Sequence, residues 1–229
     1  MPVHILAGQP SLATVEPLAT ELKTVLERWG AGRRKAPKML PIVKLQTALM
    51  NLHTVLSGIA VNSIATLNLA TASDGINRTI GGMHNAETLT SFDNNLLCAL
   101  EELSRGLFSK NTNVTYPMKA LLLITGFMPA LDSKVKQGLD KGGFVGTNKT
   151  QFLISDMTDR VKVSRLPFYI AGCFVQNSAL ISKSVATSKY PDLAADVGRV
   201  FDVLFFQQAT MPQPILCLDP PNRNWYKIE

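Results

Sequence analysis

Acidic residues are absent from a long stretch near the start of the chain. No aspartate or glutamate occurs between Glu27 and Asp74. All the basic residues of this stretch lie in its first part, and its second part, residues 45–73, carries no charged side chain. Clustered cations are typical of a site for an anionic partner, and an uncharged apolar segment is typical of a buried core. The cations are Arg28, Arg33, Arg34, Lys35, Lys38 and Lys44.

Signatures of catalysis and of metal binding are also lacking. The three histidines are far apart in the sequence, and no GxSxG, HExxH or Cys/His pattern occurs. Residues 143–150 nearly match the phosphate-binding loop pattern, but Asn148 stands where that pattern needs its second glycine. The sequence therefore predicts no catalytic residue, no cofactor and no metal site.

Cysteine is scarce, and the three that occur are widely spaced without a CxxC pair. This usage favours reduced thiols in a reducing compartment. The first ten residues lack the basic region and the long apolar run of a secretory signal. Residues 45–73 are long enough to cross a membrane, but Gln46, Asn51, Asn68 and several hydroxyl side chains interrupt them. A buried core helix is the favoured interpretation of this segment, and the β-branched residues of its second half leave helix and strand open there.

Apolar residues recur at helical spacing through most of the chain. Each of these apolar stripes predicts a helix. We expect the stretch from Ser73 to Gly82, which lies between the second and third stripes, to form a loop. Pro167 and Pro191 suit the first turns of two later helices, with Ser188 as a cap for the second. The stripes lie at residues 15–29, 45–59, 89–107, 120–127 and 193–205, and an uncharged stretch at 167–182 resembles buried helix.

The predicted fold class is all-α, or strongly α-dominated: a compact multi-helix domain, with two lobes as an alternative. With 46% hydrophobic and 17% charged residues, the chain is too apolar for a disordered protein. We expect an extended N-terminal arm at 1–14, a helical core at 15–210 and a proline-rich tail at 211–229. The glycine-rich loop near 138–147 is a weak candidate for a lobe boundary.

Two stretches are candidates for contacts with nucleic acid. In the basic loop after the first helix, arginine offers a planar fork that matches phosphate oxygens, and Trp29 could stack on a base or end the helix. The second stretch, if extended, would place Arg160 and Lys162 on one face of a strand. An ordinary amphipathic strand or helical turn is the competing interpretation. The remaining candidates there are Arg165 and Tyr169.

Basic clusters without catalytic motifs favour a structural protein that packages nucleic acid. The leading hypothesis is a viral nucleocapsid or filamentous coat subunit that binds single-stranded RNA without sequence specificity and forms homo-oligomers through its terminal arms. Such a protein would be found in the virion and the host cytoplasm; otherwise we expect a cytoplasmic location. The alternatives are a membrane-associated, matrix-like protein, an enzyme with no recognisable motif, and an adaptor that binds no nucleic acid.

Overall fold

The computed structural model describes residues 11–59, 61–73, 75–110, 113–148, 151–218 and 221–228. These ranges contain α-helices, one small antiparallel sheet and short 3-10 helices, and the predicted α-dominated fold is confirmed. The helices are α1 (Leu12–Arg28), α2 (Ile42–Gly58), α3 (Val61–Thr66), α4 (Ala86–Leu107), α5 (Thr115–Thr125), α6 (Ser133–Lys141), α7 (Met157–Ala186) and α8 (Val197–Gln208). The strands are β1 (Leu67–Ala72) and β2 (Gly75–Ile80), and the 3-10 helices span Pro191–Ala195 and Trp225–Lys227.

Helix α1 begins with a side-chain cap. The hydroxyl of Ser11 accepts a hydrogen bond from the backbone N–H of Thr14, which satisfies one free donor of the first turn. Its apolar stripe, which includes Leu18 and Leu22, is buried. The helix starts inside the range 1–14 expected to form an arm, and Pro17 lies in its second turn, not its first. Residues 1–10, the rest of that arm, lie outside the described residues.

The uncharged segment 45–73 is a buried helix only in its first half. Helix α2 buries Leu45, Leu49, Leu52 and Leu56 and ends at Gly58. Beyond that point the sequence leaves helix and strand open, and the structure contains both, because the short α3 is followed by β1. β-branched residues are frequent there, and they fit a pleated surface better than a helix. In the described part of the chain, no helix is long and apolar enough to span a bilayer.

The predicted loop from Ser73 to Gly82 is largely a strand. Strand β2 pairs antiparallel with β1, so that Leu67 lies opposite Ile80. Glycine and asparagine in this stretch favour a turn locally, but packing against α4 and α7 buries Arg78 and Thr79. This tertiary burial overrides the local preference for a loop.

Helices α4 and α5 confirm the stripes predicted from periodicity. Helix α4 extends the expected range by a few residues and buries Leu96, Leu100 and Leu103 completely. Helix α5 ends at Gly126, which adopts a left-handed conformation with φ 65°. Together with α1 and α2, these helices form the part of the molecule that carries the basic loop.

Helix α7 is much longer than the predicted buried helix at 167–182. It begins ten residues earlier, after the N-cap Asp156, and Pro167 lies in its interior. The expected cap at Ser188 is wrong for an α-helix, because a 3-10 turn at Pro191–Ala195 intervenes and Asp196 caps α8 instead. Helices α6 and α8 cross closely at Gly138, where an added Cβ would lie 1.9 Å from the carbonyl oxygen of Phe205.

The described part of the C-terminal tail packs on its own chain. Gln208 holds the start of the tail, because its side-chain oxygen accepts hydrogen bonds from the backbone N–H groups of Ile215 and Leu216. Farther along, Trp225 is 1% exposed. The groove that the apolar tail residues require is therefore supplied by the same subunit.

Candidate nucleic-acid interface

The basic loop between α1 and α2 has a defined, hydrogen-bonded backbone. The N–H of Gly32 donates to the carbonyl of Pro37 (2.8 Å), and the N–H of Ala36 donates to the carbonyl of Arg33 (2.8 Å). Positive φ angles at Gly30 and Gly32 allow these tight turns. Arg34 also adopts a left-handed conformation, with φ 49°. This backbone fixes the positions from which the arginine side chains extend.

A short antiparallel bridge anchors the loop to the end of α4. The N–H of Leu40 donates to the carbonyl of Leu107 (2.9 Å), and the N–H of Ser109 donates to the carbonyl of Lys38 (2.9 Å). Between these bonds, Met39 pairs with Phe108. The sequence predicts a mobile linker here, whereas the structure shows a loop tied to the helical core.

The cations of the loop point into solvent. All six predicted members are exposed, and within the described residues none of them lies at ion-pairing distance from a carboxylate. A cation with no partner keeps its full charge available for an external anion. The six are Arg28, Arg33, Arg34, Lys35, Lys38 and Lys44.

A groove beside the loop adds residues that sequence reasoning missed. Its volume is about 570 Å³, and Lys35 and the exposed Lys110 line it together with Tyr116 and polar side chains. Burial raises the pKa of the Tyr116 phenol, and the nearby Arg33 opposes this effect. At neutral pH the phenol is therefore a hydrogen-bond donor within reach of the basic loop.

Cations and aromatic rings alternate from the loop toward α8. The Nζ of Lys119 lies 5.3 Å from the ring centroid of Tyr116 and 5.6 Å from that of Trp29. The guanidinium carbon of Arg199 lies 4.9 Å from the centroid of the Trp29 ring. We call this series, with Arg33 at its start, the cation–aromatic track. Tyr116 and Lys119 are three residues apart and therefore lie on one face of α5. This spacing is the feature of the sequence from which their proximity could have been predicted.

A cavity of about 420 Å³ lies at the far end of the track. Trp29, Lys119 and Arg199 line it together with two carboxylates, Asp132 and Asp202. Arg199 donates to Asp202 at 2.7 Å, and Lys119 lies 3.8 Å from Asp132. We call this cavity the Trp29 pocket. Its paired charges distinguish it from the uncompensated cations of the loop.

The second predicted basic stretch does not form an exposed cationic face. It belongs to α7, so the competing interpretation as a helical segment applies and the conditional arrangement of Arg160 and Lys162 on one side of a strand does not. Arg160 pairs with Glu101, and Arg165 pairs with Asp93. Lys162 is only 6% exposed, and its Nζ lies 4.7 Å from the ring centroid of Tyr226. Partners from α4 and from the tail thus surround these cations.

Tyr169 is likewise part of the core. Its ring packs edge-on against Phe144 and Trp225, and its hydroxyl donates a hydrogen bond to the carbonyl of Trp225. Burial raises the pKa of Tyr169 to about 12. Because Tyr169 is buried, the candidate interface is reduced to the first basic stretch, Trp29 and the residues that the fold brings to them.

Groups suited to a metal or to nucleophilic chemistry are not assembled in the described part of the chain. No set of three His, Cys, Asp or Glu side chains converges there. Cys173 is buried, and burial raises its pKa to about 11, so its thiol stays protonated at neutral pH.

Comparison of the chain with protein-family models, curated proteins and solved structures finds no match in any of the three.

Proposed function

We propose that this chain is a structural protein that coats single-stranded RNA. In this proposal it is a nucleocapsid or filamentous coat subunit of a virus, it associates with copies of itself, and it resides in the virion and the host cytoplasm. The observation that supports the proposal most strongly is the basic loop, which has a fixed backbone and exposed cations without an ion pair among the described residues. Next to it, the cation–aromatic track supplies rings that could stack on bases.

The proposed mechanism depends on phosphate neutralisation. Arginine and lysine of the loop would replace the counterions around the phosphates, and each replaced counterion favours binding at low salt. Aromatic side chains accept any base, because every base has a π-face. Binding of this kind has little dependence on sequence, as coating a whole strand requires.

The membrane-associated alternative has less structural support. It would use residues 45–73 for insertion, but α2 buries its leucines, such as Leu49 and Leu52, inside the protein. Release of these side chains to a bilayer would require α2 to leave the core. The basic loop could still contact acidic lipid, so flotation with anionic liposomes is the control experiment for this alternative.

Neutralising the centre of the loop tests the proposal directly. We expect the triple variant Arg33→Ala, Arg34→Ala, Lys35→Ala to bind a 20-nucleotide uridine oligonucleotide at least about tenfold more weakly at low salt. The slope of log affinity against log salt should become shallower by roughly two, since each phosphate contact on a single strand contributes about 0.7. Fluorescence anisotropy over a salt series measures both quantities.

A matched control separates the loop from general charge. Lys183, Lys189 and Arg223 are also exposed, and the first two lie at the far end of α7 and just beyond it. Changing these three to alanine removes the same total charge and should leave the salt slope close to that of the wild type. Equal slopes for the loop variant and the wild type would exclude the loop from the interface.

Assembly is tested by size-exclusion chromatography of the purified protein, before and after nuclease treatment. We expect a large species with strong absorbance near 260 nm that nuclease converts to smaller ones. Because the described tail packs on its own subunit, the proposal assigns contacts between neighbouring copies to the N-terminal arm more than to the tail. A single nucleic-acid-free peak that nuclease does not change would contradict the packaging role.

A further inference from the structure

The Trp29 pocket differs in chemistry from the loop beside it. Two carboxylates, Asp132 and Asp202, lie close enough together for the charge of one to affect the ionisation of the other. Lys119 and Arg199 balance them, so the pocket carries no net charge. A phosphate group would meet two anions here, whereas the loop offers it cations that form no ion pair among the described residues. The pocket therefore suits an uncharged group of the ligand.

The carboxylates retain acceptor capacity for such a group. One oxygen of Asp132 caps α6 by accepting the N–H groups of Lys134 (2.9 Å) and Val135 (3.0 Å). The other oxygen lies 3.8 Å from Lys119 Nζ, which is beyond hydrogen-bond distance. Each carboxylate has about four lone-pair positions. An incoming group with N–H donors could use the positions that remain.

The apolar part of the pocket favours a planar group over an aliphatic amine. The half-buried Trp29 contributes an aromatic ring, and Phe206, which is 50% exposed, also lines the pocket. The pocket volume of about 420 Å³ falls in the range of sites for small organic ligands, roughly 300–1,000 Å³. A flat heterocycle can stack on these rings while its edge faces the acids.

We infer that the Trp29 pocket takes a nucleobase from a strand held on the basic loop and prefers guanine. Guanine presents two adjacent N–H donors on its Watson–Crick edge, and both can point at the oxygen of Asp132 that does not cap α6. Uracil presents a single donor between two carbonyls. This inference rests on the proposed function, because the loop would hold the strand whose base enters the pocket. Coating would then be largely independent of sequence but favour positions with guanine at intervals.

Binding of two matched oligonucleotides tests this inference. One is a 12-nucleotide uridine oligomer, and the other carries guanine at every fourth position. We expect the wild type to bind the guanine-containing strand about tenfold more tightly, the lower end of what a specific contact to a base edge contributes. In Asp132→Asn the amide still caps α6 but replaces one acceptor oxygen with a donor, so the preference should fall to about twofold or less.

Asp192→Asn is the control, because Asp192 is exposed on the 3-10 helix before α8 and its replacement changes the net charge equally. This control should keep the tenfold preference. Equal wild-type affinities for the two strands would overturn the inference, and the proposed function would stand if binding of the uridine strand still depended on Arg33, Arg34 and Lys35. A preference that survives in Asp132→Asn would also overturn it.

A second measurement keeps the inference testable if neither oligonucleotide binds, a result that would contradict the proposed function. The protein is then titrated separately with guanosine and with uridine. We expect guanosine to quench the fluorescence of Trp29 and uridine to leave it unchanged. The Trp29→Phe variant supplies the blank, because its remaining tryptophan, Trp225, is buried far from solvent. No quenching by guanosine, or equal quenching by uridine, would overturn the assignment of the pocket.

Discussion

Asp202 shows how burial can outweigh a neighbouring cation. Its carboxylate is paired with Arg199 and accepts a hydrogen bond from the N–H of Ala130 (3.1 Å), yet burial raises its pKa to about 6. Asp132 adds to the increase, while Arg199 and Lys119 reduce it. The ionised form is thus disfavoured in the folded protein relative to the unfolded chain, where the pKa is near 3.8.

This shift predicts a specific pH dependence of stability. Below pH 3.8 Asp202 is protonated in both states. Between pH 3.8 and 6 the unfolded chain releases this proton while the folded state retains it, so stability falls over this range and levels off above pH 6. Relative to Asp202→Asn, the wild type should therefore lose up to about 3 kcal/mol of unfolding free energy between pH 4 and pH 7. Urea unfolding of both proteins at several pH values measures the difference. A difference that does not change with pH would contradict the pKa assignment.

At the scale of secondary-structure elements, α6 and α8 pack together through a glycine. An added Cβ at Gly138 would collide with the backbone of Phe205, which cannot move away as a side chain could. We expect Gly138→Ala to reduce the unfolding free energy by about 2–4 kcal/mol. Chemical denaturation followed by far-ultraviolet circular dichroism measures this change.

Gly172 in α7 is the matched control for that substitution. An added Cβ there would lie 3.7 Å from a methyl carbon of Leu69, an ordinary contact. Because glycine is a poor helix former, Gly172→Ala should leave stability unchanged or raise it by about 0.5–1 kcal/mol. Similar losses for both variants would show that the effect at Gly138 is not due to close packing of helices.

The helices follow from sequence periodicity, whereas the hairpin does not. The stripes that became α1, α4 and α5 repeat every three to four residues and face one core, so local pattern and tertiary burial agree. In β2, Gly75 and Asn77 favour a turn, and the strand is stabilised by its pairing with β1 and by contacts of the hairpin with α4 and α7, which are distant in sequence. A single sequence carries no record of those contacts.

At the scale of the whole molecule, the C-terminal tail completes the hydrophobic core. Trp225 fills a space between the rings of Phe144 and Tyr169, with centroid distances of 5.4 Å and 5.5 Å. Two backbone hydrogen bonds, from Leu218 to Gly142 (2.6 Å) and from Asn222 to Gly143 (3.1 Å), hold the tail against the end of α6. Residues far apart in sequence thus complete one core.

Removal of the Trp225 side chain should therefore weaken the whole fold. We expect Trp225→Ala to lose about 3–5 kcal/mol of unfolding free energy, because a large cavity would remain among packed rings. Tyr190, which is 68% exposed, provides the control: Tyr190→Ala should change stability by less than about 0.5 kcal/mol. Thermal unfolding monitored by circular dichroism compares the variants. A small loss at Trp225 would mean that the tail is peripheral to stability.

The exposure of the predicted basic loop could be inferred from sequence, because no acidic residue occurs between Glu27 and Asp74. Among the described residues the cations of the loop form no ion pair, although Glu27 lines the same groove as Arg28, Arg33 and Lys38. Arg160 and Arg165 also looked available, but their partners Glu101 and Asp93 lie 59 and 72 residues earlier. Local charge patterns cannot reveal neutralisation by such distant residues.

The anchored basic loop has a consequence for encounters between copies of the protein. Because the bridge at Met39 and Phe108 holds the loop in place, every copy presents the same dense positive patch to solvent. Two such patches repel each other at low ionic strength, and a bound polyanion would turn that repulsion into attraction. Copies of the protein would then associate readily only when a polyanion is bound between their basic loops, and assembly without nucleic acid would be disfavoured.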